Sequence, residues 1–244
     1  MNRRPRIAIP VPHSLDDAYA QRALPQYERA VEMAGGEPVK IALDQSTDLI
    51  FQVVRDCDAV LLPGSNADVD PAKFRATRSP HTAPADPRRD VVDELLLRDA
   101  YQNKKSVLGI CYGLQSLNVF RGGSLVQHIP DFLSGGLRGK VNHEAGKSIP
   151  VAHTVKLKKP SRLASVLGHN GNLPVNSSHH QAVDAIGTNL TVAARCAEDG
   201  IIEALEGTPS DHFVLAVQWH PERSVDDDPA SRAIFSAFVD AAKR

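Results

Sequence analysis

The sequence is poor in several features that define whole classes of proteins. Its three cysteines, at positions 57, 111 and 196, are too few and too scattered for a disulfide framework or a cysteine-rich metal cluster. No apolar run approaches the roughly 20 residues that span a bilayer. The apolar stretch after the basic start, residues 7–11, is also too short for a secretory signal. We therefore expect a cytoplasmic protein that does not bind a membrane.

The sequence also lacks an excess of charge of either sign. Its 28 Lys and Arg nearly balance 29 Asp and Glu, which gives a formal net charge of −1. Such a balance provides no electrostatic attraction for nucleic acid or for an anionic membrane surface. A chain of 244 residues that is 42% hydrophobic can bury a full core. Without repeats or a long linker, it is expected to form one domain over residues 1–244.

Short apolar runs alternate with amphipathic segments in the first half of the chain. They predict strands at 6–11, 39–43, 59–63 and 106–110, and helices at 25–34, from Asp86-Pro87, and at 113–120. This alternation predicts an α/β fold with an open, mostly parallel sheet and helices on both faces. The segment 137–218 is richer in predicted strands, at 154–157, 190–195, 201–205 and 214–218. A last helix is predicted after Asp228-Pro229.

The sharpest local motif is a Gly-x-Cys-x-Gly turn at 109–113, between an apolar strand and a helix. Flanking glycines permit the strained strand-to-helix turn of a nucleophile elbow, which exposes the central side chain, here Cys111. A helix N-terminus stabilises a thiolate, and the N–H of Tyr112 could donate to a developing oxyanion. The alternative is a buried structural cysteine between packing glycines.

A second motif, His220-Pro221-Glu222, follows another predicted strand. Side chains two positions apart share a face of an extended chain, so His220 and Glu222 can lie side by side. The carboxylate could then orient the imidazole, as in a nucleophile–base–acid triad. The alternative is an ordinary pair of exposed polar residues at a strand end.

A third polar segment, 176–181, contains the adjacent histidines His179 and His180, which should point to opposite faces of an extended chain. Zinc binding is one interpretation, but no Cys or His lies at the spacing of a structural zinc site, and we expect neither a metal nor another cofactor. A loop of small polar groups beside a substrate pocket is preferred over zinc. The remaining alternative is an ordinary polar turn.

In combination these motifs resemble class I glutamine amidotransferase-like proteins and, within them, the γ-glutamyl-γ-aminobutyrate hydrolase family of γ-glutamyl peptidases. The resemblance extends in order along nearly the whole chain. It includes the segments 62–65, 68–71, 89–94, 107–115, 122–125, 175–183, 199–204 and 218–222. Two residues depart from the family's pattern, since Tyr112 replaces an arginine that is often found after the nucleophile and His180 stands where some relatives have glycine.

The resemblance implies a role for each matching residue. Cys111 would be the nucleophile, His220 the base and Glu222 the residue that orients it. The backbone amides of an oxyanion hole would come from Gly64, Ser65 and Tyr112. The glutamyl end of a substrate would contact Gln115, Ser178, His179, His180 and Gln181.

Three functions are compatible with this reading. The first is a hydrolase that cleaves the γ-glutamyl amide of a small molecule through a cysteine thioester. The second is a glutaminase subunit that supplies ammonia to a partner synthase, and the third is an inactive binding protein on the same fold. We expect the first, because the chain ends at Arg244 with no synthase domain after it and all three triad residue types are present. The expected partner is a γ-glutamyl compound, and association into a homo-oligomer is compatible with the sequence.

Overall fold

A computed structural model describes residues 3–169 and 171–243. Within these residues eleven strands form one sheet. The strands are β1 (Arg6–Pro10), β2 (Glu37–Ile41), β3 (Ala59–Leu62), β4 (Ser106–Ile110), β5 (Leu125–Val126), β6 (His153–Leu157), β7 (Asn172–Val175), β8 (Ala182–Val183), β9 (Leu190–Cys196), β10 (Ile202–Gly207) and β11 (Val214–Val217). The helices are α1 (Asp17–Met33), α2 (Thr47–Arg55), α3 (Pro87–Asn103), α4 (Tyr112–Phe120), α5 (Ile129–Phe132), α6 (Arg162–Leu167) and α7 (Pro229–Ala241).

The parallel half of the sheet has the strand order β2-β1-β3-β4-β11. At its centre β4 and β11 pair in register, from Val107 opposite Val214 to Ile110 opposite Val217. Because the two strands run in the same direction, their carboxyl ends lie at the same edge of the sheet. The residues that follow Ile110 and Val217 are therefore brought close together.

The antiparallel half continues from β11 through β10, β9, β6 and β7, while β8 pairs with β10 and with β5. Except for β5, these antiparallel strands lie in the strand-rich segment that the sequence indicates over 137–218, whereas the last strand predicted there, 214–218, is β11 and pairs with β4 in parallel. The prediction of an α/β fold, with parallel strands and an added strand-rich part, is confirmed. The antiparallel strands make the complete sheet mixed.

Helices cover both faces of the parallel half, also as predicted. Successive side chains of a strand point to opposite faces, so Leu61 packs in one core layer while Val60 and Leu62 pack in the other. The first layer is completed by α1, α6 and α7, and the second by α2, α3 and α4. All four β3 side chains are fully buried, as is typical of a strand covered by helices on both faces.

The start of α1 differs from the sequence prediction. The helix begins at Asp17, not at Pro25, and the carboxylate of Asp16 caps it by accepting a hydrogen bond from the N–H of Tyr19 at 2.9 Å. Pro25 lies inside the helix, so the expectation that it marks the first turn was wrong. Two more helical turns thus precede Pro25 and reach the carboxyl edge of the sheet. None of the helices in the described ranges is both long enough and apolar enough to cross a bilayer.

Candidate active site

Cys111 occupies a sharp turn between β4 and α4. Its backbone has φ +52° and ψ −103°, in a region that L-residues rarely adopt. The N–H of Cys111 still donates to the carbonyl of Val217 at 2.8 Å, so the sheet ladder extends into the turn. The side chain is 7% exposed and lies on the wall of a cavity. Such geometry is that of a nucleophile elbow.

The glycines on either side of Cys111 are required by close backbone contacts. A Cβ at position 113 would lie 2.1 Å from the carbonyl oxygen of Leu62, and one at position 109 would lie 2.8 Å from the carbonyl oxygen of Gly113. Neither gap admits a side chain, because the obstructing atoms belong to the backbone. The Gly-x-Cys-x-Gly pattern is therefore a steric requirement of this turn.

His220 and Glu222 follow β11, at the same edge as Cys111. The Nδ1 atom of His220 lies 2.7 Å from Oε1 of Glu222, and both residues are buried. The other ring nitrogen, Nε2, has no nitrogen or oxygen partner in the described ranges and interacts with the Cys111 thiol. The three side chains thus form one continuous series from thiol to carboxylate.

Electrostatics favour a protonated imidazole in this series. Burial on its own lowers the pKa of His220, but the charges of Glu222 and Cys111 and hydrogen bonds to both raise it to about 9. Burial also raises the pKa of Glu222, yet the charge and hydrogen bond of His220, with Arg223 nearby, bring it below its ordinary value. The raised pKa of His220 and the lowered pKa of Glu222 both favour an imidazolium–carboxylate pair near neutral pH.

The backbone of His220 is held by a residue that the sequence reasoning did not assign to the site. The side-chain amide of Asn176 donates to the carbonyl of His220 at 2.8 Å and accepts from its N–H at 2.9 Å. This double hydrogen bond fixes the loop after β11 to the loop after β7. The only signal in the sequence was the position of Asn176 at the start of the polar segment 176–181.

The three candidate oxyanion donors differ in whether their N–H groups already have an acceptor. The N–H of Gly64 donates to the hydroxyl of Tyr27 at 3.0 Å. The N–H groups of Ser65 and Tyr112 have no acceptor in the described residues, and both residues line the cavity. Gly64 itself is tightly enclosed, since a Cβ there would lie 3.1 Å from Cε1 of His220.

The side chain of Tyr112 lies in the core and does not narrow the cavity. Its hydroxyl donates to Asp90 at 2.6 Å, and the Arg89 guanidinium lies over its ring at 4.9 Å. The fully buried Arg89 also donates to the carbonyls of Pro12 and Pro63 at 2.9 and 2.7 Å. It therefore connects the loops after β1 and β3 beneath the elbow, which gives a physical reason for Arg89 in the family pattern.

The five residues expected to contact a substrate all border the cavity: Gln115, Ser178, His179, His180 and Gln181. The two histidines point in different directions, as predicted. His180 is half-buried with Nε2 3.1 Å from Oδ1 of Asp68, whereas the His179 ring turns into the interior. The carbonyl of Gln181 accepts from Nδ1 of His179 at 2.7 Å and from Nε2 of Gln115 at 3.4 Å.

The cavity has a volume of about 480 Å³ and charged groups of both signs on its walls. Asp68 and Glu144 supply negative charge, and Arg22, Lys147 and Arg223 supply positive charge. Tyr19 and Arg22 come from the two turns of α1 that precede Pro25. Sequence reasoning missed both because it placed the start of this helix too late.

The sequence and the fold both resemble those of known proteins. The sequence model of the family described as Peptidase C26 matches residues 9–222, most of the chain. The chain belongs to the Peptidase C26 family. A relative from Mycobacterium tuberculosis, provisionally named a glutamine amidotransferase, is 41% identical over 88% of this chain and 66% of its own length. The γ-glutamyl-γ-aminobutyrate hydrolase PuuD of Escherichia coli is 31% identical over 88% of this chain and 84% of its own length.

Solved structures share the fold of this Peptidase C26 member at low sequence identity. The glutaminase domain of Trypanosoma brucei CTPS, solved with acivicin bound, matches with a TM-score of 0.67 at 18% identity, over 98% of this chain and 93% of its own. The structure of PurLQS from Thermotoga maritima matches with a TM-score of 0.62 at 18% identity, over 98% of this chain and 99% of the matched chain. These neighbours identify the fold as that of class I glutamine amidotransferases.

Proposed function

We propose that this Peptidase C26 member hydrolyses the γ-glutamyl amide bond of a small γ-glutamyl compound through a cysteine thioester. The observation that carries the proposal is the series from the Cys111 thiol through His220 to Glu222, with 2.7 Å between imidazole and carboxylate, opening onto a polar cavity. A nucleophile, a base and a group that orients the base are the parts that acyl transfer requires.

In the first half of the reaction, the proton of the Cys111 thiol is already held on His220, and the sulfur attacks the γ-carbonyl carbon. The carbonyl oxygen becomes an oxyanion and accepts hydrogen bonds from the N–H groups of Tyr112 and Ser65. When the tetrahedral intermediate collapses, His220 donates its proton to the departing nitrogen. The amine leaves, and a γ-glutamyl thioester remains on Cys111.

Water completes the cycle in the second half. His220 accepts a proton from the water as its oxygen attacks the thioester carbonyl. The second tetrahedral intermediate expels the Cys111 sulfur while the proton stays on His220, and glutamate is released. Glu222 keeps Nδ1 of His220 hydrogen-bonded throughout, so Nε2 always faces the reacting atoms.

The charges on the cavity wall support a γ-glutamyl group as the recognised part of the substrate. A γ-glutamyl compound has a free ammonium and a free carboxylate on its α-carbon. Asp68 and Glu144 offer partners for the ammonium, and Arg22 and Arg223 offer partners for the carboxylate. The relative from E. coli that is named for γ-glutamyl-γ-aminobutyrate hydrolysis supports the same substrate class.

The experiment is a steady-state assay of the purified chain without ATP or a second protein. Substrates are glutamine, γ-glutamyl-γ-aminobutyrate and other γ-glutamyl amides, and glutamate and amine release are measured separately. We expect release of both products, with the glutamyl end strictly required, because each unpaired polar group in the pocket costs about 1–3 kcal/mol. The amine end should be more permissive.

The matched control substrate is the α-glutamyl isomer, which carries the same groups but presents the amide on the other carboxyl. It should not be cleaved, and Cys111→Ala should be inactive on every compound. Equal cleavage of both isomers would contradict the proposal. If the purified chain hydrolysed none of the amides and became active only when a synthase partner was supplied, the result would favour a glutaminase subunit.

A further inference from the structure

A second cluster of reactive side chains lies behind the substrate-contacting loop and takes no part in the proposed chemistry. It consists of His143, His153, His179 and Glu203, all buried, and one ligand atom from each lies within 4.8 Å of all the others. His153 begins β6 and Glu203 lies on β10, whereas His143 and His179 come from loops. The four residues are far apart in the sequence and are assembled by the antiparallel half of the sheet.

The distances in the cluster fit the coordination shell of a metal. The Oε1 atom of Glu203 lies 3.1 Å from Nδ1 of His143, 3.2 Å from Nε2 of His153 and 3.3 Å from Nε2 of His179. Zinc binds nitrogen and oxygen at about 2.0–2.2 Å with tetrahedral geometry, which separates neighbouring ligand atoms by about 3.3–3.5 Å. The observed spacing is close to that value.

Hydrogen bonds do not account for the same contacts. None of these four atoms has a hydrogen-bond partner of acceptable geometry in the described residues, although all are buried. Buried polar atoms are almost always paired, and an unpaired one costs free energy. Four such atoms that converge on one point therefore indicate a shared partner at that point.

The outer nitrogens of two rings are already occupied in the manner of metal-bound histidines. Nε2 of His143 lies 2.8 Å from Oδ2 of Asp199, and Nδ1 of His179 lies 2.7 Å from the carbonyl oxygen of Gln181. A carbonyl can only accept, so Nδ1 of His179 carries a proton, and Nε2 is the ring atom that faces Glu203. Metal-binding histidines typically donate their outer N–H to a carboxylate or carbonyl in this way.

The geometry points to a zinc site formed by His143, His153, His179 and Glu203. Three neutral imidazoles and one carboxylate are ligands that zinc accepts, and the two charges of the ion equal those of Glu203 and Asp199. All four positions are filled by buried protein groups, so the site is closed and structural. The sequence expectation of no metal missed it because positions 143, 153, 179 and 203 form no spacing motif.

A bound ion would stabilise the loops that form one wall of the substrate pocket. It would tie β6, β10 and two loops together through one point. His179 is two residues before Gln181, whose carbonyl also accepts from Gln115 on the cavity wall. His143 immediately precedes Glu144, another cavity residue. The ion would therefore fix the position of pocket residues without touching the substrate.

The first test is metal binding by the full chain. The protein is freed of metal with a chelator, and the uptake of Zn²⁺ is then measured by elemental analysis, together with the unfolding temperature. We expect one zinc per chain and a higher unfolding temperature with Zn²⁺ but not with Mg²⁺. Co²⁺ in place of zinc should give tetrahedral absorption bands without a thiolate-to-metal band. Failure of the folded chain to take up zinc saturably would overturn the proposal.

Variants locate the ion and are compared with a buried histidine outside the cluster. His153→Gln and Glu203→Gln should each lower zinc affinity by more than about 100-fold, and Asp199→Asn by about 10–100-fold. The control His212→Gln should retain wild-type affinity. Uptake unchanged in both ligand variants, or a thiolate band that disappears in Cys196→Ala, would show that the ion binds elsewhere and would overturn the proposal. These measurements do not depend on amide hydrolysis.

Discussion

The two halves of the sheet contribute to the candidate active site by different means. In the parallel half, Cys111 and His220 follow the neighbouring strands β4 and β11, whose register brings their ends together. In the antiparallel half, the residues at 178–181 lie on a loop and depend on contacts with distant segments. The comparison suggests that the reacting groups are fixed by strand pairing, whereas substrate contacts need additional attachment. Substitutions in the first half should therefore affect turnover, and those in the second should affect substrate affinity.

The largest effect should come from Cys111→Ala. Loss of the nucleophile should reduce the rate of amide hydrolysis by more than about 10⁴-fold. The fold should be retained, because alanine leaves the turn in place. The measurement is glutamate release, with circular dichroism to verify the fold.

Cys57→Ala and Cys196→Ala are the matched controls for this change. Burial raises the pKa of Cys57 to about 11 and that of Cys196 well above its ordinary value, so both thiols stay protonated at neutral pH. Neither control should lose substantial activity, and iodoacetamide should label Cys111 first. Wild-type rates in Cys111→Ala would refute the elbow assignment.

The next effect separates the base from the residue that orients it. His220→Gln should be nearly as damaging as loss of the nucleophile, while Glu222→Gln should be milder, at about 10⁴-fold. The double variant should be little worse than His220→Gln, because the members of a catalytic unit are not additive. A negligible effect of both changes would point to another base, with His180 examined next, because both ring nitrogens of His179 face protein groups.

The pH dependence tests the electrostatic part of the same pair. Burial alone lowers the pKa of His220, so Glu222→Gln should move it down from about 9. A raised pKa contributes stability that is fully present below 6.5 and is lost as the pH rises through about 9. The wild type should therefore lose more unfolding free energy across this interval than Glu222→Gln does. Nitrogen NMR of the imidazole and urea unfolding measure the two quantities.

Glu144→Gln is the control for that comparison, since Glu144 lies on the cavity wall but is not among the groups that shift the His220 pKa. It should leave the His220 titration unchanged. An identical His220 pKa in wild type and Glu222→Gln would show that the carboxylate does not set the protonation of the base.

A smaller effect is expected where Gly64 packs against the base. In Gly64→Ala the new Cβ would lie 3.0 Å from the Tyr27 hydroxyl and 3.1 Å from Cε1 of His220. Overpacking of this kind costs about 1–3 kcal/mol, which corresponds to a loss of about 5–150-fold in kcat if it displaces the imidazole. Gly136→Ala is the control, because a Cβ there meets nothing within 4 Å. Equal kcat in the two variants would show that His220 tolerates the displacement.

The smallest effect should come from the antiparallel half. His180→Asn removes the 3.1 Å contact with Asp68, which positions a carboxylate on the cavity wall. Loss of one such hydrogen bond, at about 1 kcal/mol, should raise KM about fivefold and leave kcat nearly unchanged. Initial rates with a γ-glutamyl amide over a range of concentrations separate the two parameters. A fall in kcat at constant KM would contradict the proposal that the antiparallel half affects substrate affinity and not turnover.

The parallel half could be predicted from sequence because its signals are local. The apolar run 106–110 gave β4, and the glycines at 109 and 113 gave the turn that exposes Cys111. His220 and Glu222 share a motif three residues long, so their contact was also predictable. Each of these inferences depends on neighbours within a few positions.

The remaining features depend on contacts between distant segments. The histidine cluster joins residues up to 60 positions apart, and no spacing rule anticipates it. The hydrogen bond from the Gly64 N–H to the Tyr27 hydroxyl could not be predicted without knowing where α1 lies. Tyr19 and Arg22 were missed for the same reason, since a proline that usually opens a helix here lies within one.

At Cys111 the left-handed backbone lowers thermal stability, whereas the thiol is required for catalysis. Strain of this kind costs about 1–3 kcal/mol, and glycine adopts the same conformation freely. Cys111→Gly would relieve that strain and remove the thiol in one step. A library of variants sorted only for survival at high temperature would therefore enrich chains without a nucleophile. Directed evolution of this protein should couple every thermal challenge to a measurement of turnover.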